Sequence, residues 1–529
     1  MIKNNMNKSA HIDRFAKEKL PDITSWPEFI FGDAIPKYPD RLNAAVELLA
    51  GGHGSRPAIY MNDVCWTYDE LDLISSKVAS ILTNNYGLIP GNRVLLRGNN
   101  TPMLAALWYG VLKAGGVVIS TMTMLRQKEL DAIIDVGKPN VIIIEDNLPI
   151  DVIETCDAKA DHVLSYNTIE EKLSGYDGQY EPVDTASDDV ALLAFTSGTT
   201  GIPKATMHFH RDILVMADSF AKFVLKPSSQ DVFCGSPPLA FTFGLGGLLV
   251  FPARFGASVV YFDGGGPDVL LDVIEKFNVT TLFTAPTAYK LLIKHCDERN
   301  IKSLKTCVSA GENLPLAVSD DFYKATGIRL IDGIGATEMI HVFISASGDD
   351  IKPGSTGKVV PGYKAEIWDT DDNPLPSGEA GRLAVKGPTG CRYLNGDRQE
   401  EYVINGWNVT GDIFKQDSDG YFWFIARGDD IIISAGYNIA APEVEEAIIK
   451  HEAVMECAVV GEPDQDRGMI VKAFVVLNSG YVGGDQLVNE IQRFVKENVA
   501  PYKYPRAIEF IDNLPKSATG KLLRKDLKN

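Results

Sequence analysis

The 529-residue chain is poor in features that would stabilise a secreted, membrane-bound or nucleic-acid-binding protein. Its seven cysteines (65, 156, 234, 296, 307, 391 and 457) are odd in number, scattered and never in CxxC spacing. That excludes a disulfide framework and a cysteine zinc site, and it points to a reducing compartment. Positive charge is also short: 51 Lys and Arg stand against 70 Asp and Glu, for a net charge of −19. Such a surface repels nucleic acid and anionic membranes, which both require a basic footprint, while leaving room for a local pocket for an anionic small molecule. No stretch approaches the roughly 18 unbroken apolar residues of a membrane span. The longest candidate, PMLAALWYGVLKAGGVVIS, is broken by Lys113 and the Gly115–Gly116 pair. The opening, MIKNNMNKSAHIDRFAKEKL, has neither the apolar core nor the small-residue cleavage site of a secretory signal. The expectation is a cytoplasmic protein, monomer or homodimer, with neither nucleic acid nor membrane as partner.

What is present is an ordinary globular composition, 45% apolar and 23% charged, in a chain long enough for two to four domains. Between residues 90 and 145, strand-like and helix-like segments alternate: NRVLL, then a helix capped by Thr101 with Pro102 in its first turn, VVIS, RQKELDAIIDVG and NVIII. The same alternation returns at 257–310. Repeated βαβ predicts a large α/β body of layered, mostly parallel sheets with helices. From about residue 355 short β-rich pieces with turn signals take over, and after ARGDD a small α+β unit of about 100 residues follows. The expected division is a body over 1–428, with a β-rich subdomain over about 355–428, and a small mobile domain over 429–529.

Five stretches carry chemistry. TSGTTGIPKAT (196–206) sets Thr196, Ser197, Thr199 and Thr200 around Gly198 and Gly201, with Lys204 behind a proline. The glycines permit successive N–H groups to face one concavity, which suits phosphate oxygens. A Walker loop needs lysine directly after its second glycine, so Ile202 and Pro203 exclude that fold. IDGIGATEM (331–339) places the Thr337 hydroxyl beside the Glu338 carboxylate, an oxygen ligand suited to Mg²⁺. NVTGDIF puts Asp412 at a tight turn, where a carboxylate can accept both hydroxyls of a ribose. ARGDDIIISAGYN carries Arg427, Asp429 and Gly436, and PKSATGKLLRKDL carries Lys521. Taken singly, each also fits an ordinary surface turn.

In their joint order the five stretches resemble the acyl-adenylate-forming superfamily of acyl- and aryl-CoA synthetases, adenylation domains and luciferases. The resemblance spans nearly the whole chain. HIDRFAKEKLPDITSWPEF, IGATEMIHVFISA and GPTGCRYL further resemble the benzoate-CoA ligase branch, most of all 2-aminobenzoate-CoA ligases.

That resemblance implies an enzyme that uses ATP, Mg²⁺ and coenzyme A on a small aromatic acid. Thr196, Ser197, Gly198, Thr199, Thr200 and Lys204 would cradle the outgoing phosphates. Thr337 would touch the α-phosphate and Glu338 would ligate Mg²⁺. Asp412 and Arg427 would hold the ribose; Ser309, Ala310, Gly311 and Glu312, with Asp332, Gly333 and Ile334, would line the adenine. Lys521 would bridge the carboxylate and the α-phosphate, Asp429 would be the hinge, and Gly436 would face the pantetheine arm. Ala240, Phe241, Gly246, Gly335 and His341 would form the acyl pocket. Ala205, Ile334 and Ala426 depart from the residues usual at their positions, though none removes a charged or hydroxyl group. Three other readings stay open: a short- or medium-chain fatty-acid ligase, an enzyme loading a separate carrier protein, and a nucleotide-binding protein without catalysis.

Overall fold

Strands Arg93–Arg97, Val117–Thr121 and Val141–Ile144 alternate with helices Pro102–Lys113 and Gln127–Gly137, as the patterning predicts. The Thr101 side chain caps the first helix by accepting from the Leu104 N–H at 3.1 Å, and Pro102 occupies a position whose N–H needs no intrahelical partner. These strands read as unbroken Val, Ile and Leu because both faces of a parallel sheet are covered. The computed structural model describes residues 6–50, 53–148, 159–196, 203–264, 266–295, 299–311, 314–396, 398–434, 437–464, 467–499, 502–516 and 522–528. Among them, no helix is long and apolar enough to cross a membrane. Lys113 shows why the run that looked most membrane-like is a core helix. Its buried ammonium is held by the Asp72 carboxylate at 2.7 Å, the Asp72 carbonyl and the Ser76 hydroxyl.

Two compact units divide the chain: residues 1–365 with 385–409, and residues 366–384 with 410–529. The expected boundary at 428/429 falls inside the second unit, within the single turn Gly428–Asp430.

The first unit holds two sheets. One has six strands in the order His162–Ser165, Val141–Ile144, Arg93–Arg97, Val117–Thr121, Val190–Thr196, Lys204–Phe209. All its pairings are parallel except the last. The other has nine strands, with a parallel centre running through Ile331–Gly335, Thr306–Ser309, Thr281–Thr284, Val232–Gly235, Ser258–Tyr261 and Pro57–Met61. The second unit contains the antiparallel pairing of Trp407–Gln416 with Phe422–Arg427 along residues 412–416. It also contains a three-stranded sheet, Val454–Asp464, Gly468–Leu477 and Ala507–Phe510. Helices Ala441–Ile448 and Asp485–Asn498 cover that sheet through a core that includes Val444, Ile448, Val459, Val471 and Ile491.

The antiparallel edge strand of the six-stranded sheet is secured by a fully buried ion pair. The Arg392 guanidinium donates to Asp212 and to the Met207 carbonyl, and lies 3.9 Å from the Phe209 ring centre. Removing one member strands the other charge in a dry interior, which costs about 3–5 kcal/mol; replacing both with apolar groups can cost far less. Arg392→Met is therefore expected to lower the thermal midpoint sharply. Arg392→Met combined with Asp212→Leu is expected to recover much of the loss, both measured by calorimetry.

Candidate active site

Ligands of open parallel sheets bind beyond the carboxyl ends of the strands, where loops are free to vary. The candidate residues of the first unit gather at such ends. Thr196 closes Val190–Thr196, Ser309 closes Thr306–Ser309, and Ile331–Gly335 leads directly into Thr337 and Glu338. Ala240 and Phe241 follow Val232–Gly235 in a turn fastened by the Phe241 N–H to the Pro238 carbonyl at 3.0 Å. Thr196 pairs across the hairpin with Lys204, so these two residues fix the stem of the expected phosphate loop. Ser197, Gly198, Thr199 and Thr200 lie outside the described residues, as do Glu312, Gly436 and Lys521.

Thr337 and Glu338 form a single 3₁₀ turn ending at Ile340, whose φ of 67° is a rare, strained conformation for a buried β-branched residue. The Tyr393 hydroxyl donates to Glu338 Oε1 at 2.7 Å, and Lys204 Nζ lies 5.7 Å from the Tyr393 ring centre. Partial burial holds the Lys204 ammonium below its ordinary pKa, with Arg398 adding repulsion. Thr389 donates to the Met339 carbonyl at 2.9 Å, which anchors the turn from behind.

Burial also acts on Asp332, whose carboxyl is pushed up to about 7. It lines a pocket with Leu314, Leu330, Ala346, Pro353 and Thr356. The buried Ser309 hydroxyl has no hydrogen-bond partner among the described residues, an unmet donor where the adenine is expected. Gly311, at φ 92°, occupies backbone space that favours glycine.

Of the five acyl-pocket candidates, the structure brings two, Gly246 and Gly335, against a third, His341. A Cβ on Gly246 would come within 2.5 Å of the His341 ring, and one on Gly335 within 2.7 Å of the His341 carbonyl oxygen. Both glycines are thus required by close approach. Phe251, Phe220 and Phe243 surround the imidazole at 4.8, 5.3 and 6.2 Å between ring centres. Among the described residues neither ring nitrogen makes a well-formed hydrogen bond, and the Phe243 backbone is a polar neighbour. Desolvation drives the pKa down to about 3, so the ring is neutral under working conditions.

In the second unit, Asp412 and Arg427 face each other across adjacent strands. Arg427 Nη1 lies 3.4 Å from Asp412 Oδ1, and a Cβ on Gly411 would come within 3.0 Å of the guanidinium. Glycine therefore leaves the space the arginine uses. Asp429 sits in the turn Gly428–Asp430, and neighbouring Asp430 accepts from Arg524 Nη1 at 3.0 Å. Arg524 also donates to Glu445 through Nε and Nη2, which fastens the segment after Lys521 into this unit.

The sequence matches the AMP-binding enzyme family over residues 46–393 and the AMP-binding enzyme C-terminal domain over residues 443–521. The chain belongs to the AMP-binding enzyme family. The benzoate–CoA ligase of Thauera aromatica is 33% identical to it over 93% of this chain and 97% of that protein. The mitochondrial acyl-coenzyme A synthetase ACSM3 of Mus musculus is 35% identical over 90% and 87%. The crystal structure of the anthranilate CoA ligase AuaEII with anthranoyl-AMP superposes with a TM-score of 0.88 at 32% identity, covering 93% of this chain and 97% of that one.

For an AMP-binding enzyme, the donors around Glu338 suit a cation that arrives with phosphates. Mg²⁺ bound that way takes one or two carboxylates and fills its other positions with phosphate and water oxygens. Glu338 supplies one carboxylate, and the described residues assemble no group of three His, Cys, Asp or Glu side chains. Sequence reasoning missed Tyr393 and the Phe220, Phe243 and Phe251 wall. The phenylalanines lay inside apolar runs indistinguishable from ordinary core, and nothing local ties Tyr393 to a glutamate 55 residues earlier.

His208, like His341, is buried and depressed, to about 4, mainly by desolvation. A histidine whose folded pKa lies below its unfolded value of about 6.5 contributes stability above that value and loses it as pH falls toward the folded value. Each such group contributes up to about 1.4 kcal/mol per pH unit in that window. Thermal midpoints should therefore fall between pH 6.5 and 4.5, and a His341→Gln variant should fall less steeply than the wild type.

Proposed function

We propose that this chain activates a small aromatic carboxylic acid, of the benzoate or 2-aminobenzoate type, with ATP and passes the acyl group to coenzyme A, releasing AMP and pyrophosphate. The observation that carries the aromatic reading is the enclosure of His341 by Phe220, Phe243 and Phe251 with Gly246 pressed against the imidazole. Flat rings and glycines favour a planar guest over a flexible chain. The Thauera and AuaEII relatives support it by their names.

A carboxylate attacks the α-phosphorus of ATP to give an acyl-adenylate and pyrophosphate; the thiolate of coenzyme A then displaces AMP. The first step brings two anions together, so screening and positioning dominate catalysis. Thr196, Ser197, Gly198, Thr199, Thr200 and Lys204 hold the departing phosphates in this reading, and Thr337 meets the α-phosphate. Glu338 would hold Mg²⁺, which neutralises phosphate charge when bound. Asp412 and Arg427 take the ribose hydroxyls, while Ser309 to Glu312 and Asp332 to Ile334 line the adenine. Lys521 brings the compact charge of a lysine ammonium to screen carboxylate and phosphate together. Ala240, Phe241, Gly246, Gly335 and His341 form the acyl pocket, and Gly436 faces the pantetheine. Asp429 is the hinge on which a mobile small domain turns between the half-reactions. The compartment we assign is the cytoplasm, in keeping with seven scattered cysteines that show no CxxC spacing.

A second reading is a short- or medium-chain acyl-CoA ligase, favoured by the 35% identity to ACSM3. Comparing kcat/KM for benzoate, 2-aminobenzoate, hexanoate and octanoate separates the two. The aromatic acids are expected to lead by at least about tenfold, the lower end of what apolar pocket contacts discriminate. A fatty-acid lead of that size overturns the aryl reading, and product formed only on a carrier protein overturns the transfer to coenzyme A. Lys521→Ala should slow adenylation about 10²- to 10³-fold, the usual loss for one transition-state donor. It should leave thioester formation from supplied acyl-adenylate within tenfold of wild type.

A further inference from the structure

Tyr393 occupies an unusual place between two candidate groups of opposite charge. Its hydroxyl donates to Glu338 Oε1 at 2.7 Å, and the Lys204 ammonium lies 5.7 Å from its ring centre. The residue is 4% exposed. Its backbone is tethered on both sides. Its N–H donates to Gln399 Oε1 at 2.9 Å, and it bridges Thr206 on the strand that carries Lys204. The Met207 N–H donates to the neighbouring Arg392 carbonyl at 2.8 Å, and the Arg392–Asp212 ion pair locks that junction. Gln399 in turn donates to the Cys391 carbonyl at 3.0 Å, so the amide holding Tyr393 is itself oriented.

We propose that Tyr393 is the positioning residue for Glu338, fixing the carboxylate rotamer so that Oε1 is occupied by the phenol and Oε2 is presented to the cation that accompanies the nucleotide. The inference rests on the reading of Glu338 as that cation's ligand. A glutamate on a one-turn 3₁₀ segment has three side-chain torsions to order, and an unoriented carboxylate pays that entropy when it binds. A buried phenol on a fixed backbone orders it beforehand, as hydrogen-bonded partners behind metal ligands generally do. The same ring offers its face to Lys204 and its edge to Glu338. It thereby sets the spacing between the cationic and anionic groups that meet the phosphates.

Tyr393→Phe removes only the hydroxyl and keeps the ring against Lys204. The probe is Mn²⁺, titrated by electron paramagnetic resonance into the full chain saturated with α,β-methylene ATP. The Mn²⁺ Kd is expected to rise about tenfold, the low end of the loss for groups behind a ligand. Metal-free nucleotide affinity should stay within about twofold, and the ligand-free thermal midpoint within about 2 °C, less than the shift a ΔΔG of 1 kcal/mol produces in a domain of ordinary size. A Mn²⁺ Kd within twofold of wild type overturns the inference, as does an equal loss of nucleotide affinity with and without metal. Glu338→Gln, run in parallel, separates the two layers. If it weakens Mn²⁺ and Tyr393→Phe does not, the positioning role alone falls. If Glu338→Gln leaves Mn²⁺ binding unchanged, the reading of Glu338 as the cation's ligand falls, and this inference with it.

Discussion

Antiparallel pairing of Lys204–Phe209 against Val190–Thr196, on the edge of an otherwise parallel sheet, sets the positions of Thr196 and Lys204 and, by a bridge to Tyr393, the surroundings of Glu338. The register places Thr196 opposite Lys204, which fixes the span of the glycine-rich hairpin. Side chains alternate faces along a strand, so Thr206 and His208 share one face and hydrogen-bond to each other at 3.1 Å. The same strand carries the bridge to Tyr393, and through Tyr393 it reaches Glu338. Slipping the register by one residue would turn every one of these side chains to the opposite face.

That strand also explains how a chain with a net charge of −19 maintains a site for polyanions. Exposed acidic charge is screened beyond about 8 Å at physiological salt. The cations that matter are held locally. Arg392 is consumed structurally by Asp212, whereas Lys204 stands over an aromatic ring and makes no ion pair among the described residues. An ammonium left partly desolvated gains more from an arriving phosphate than one already paired, because its field is less screened. The neutral, buried His341 follows the opposite logic: it lends shape and a polar edge to an aromatic enclosure without adding a charge.

Much of the architecture was legible because the patterns that encode it are local. Unbroken Val and Ile runs marked the parallel strands. Thr101–Pro102 marks a helix start, and the interposed Ile202 and Pro203 exclude a Walker loop by spacing alone. The pairing of Asp412 with Arg427 was less legible. Both were named as ribose ligands, but their cross-strand registry at 3.4 Å follows from a hairpin whose bulge lies between Ile413 and Phe414. The phenylalanines around His341 were invisible as a group. Phe220 and Phe251, 31 residues apart, come from segments that wind as π-helix and short α-helix, and no periodicity announces such a meeting.

The sequence by itself determined the kind of elements, their order, the family and the chemical identity of the candidate groups proposed to meet phosphate and carboxylate. Those properties live in runs of a few residues, where backbone preference and side-chain type act directly. Tertiary structure alone decided the orientation of the Lys204 strand and the closeness of Gly246 to His341. It also decided the tie from Tyr393 to Glu338. Each is a contact between residues far apart in the chain, and such contacts depend on how sheets and helices pack. They are chosen by close packing and by the cost of leaving a buried polar group unpaired, and neither can be read from neighbours along the chain.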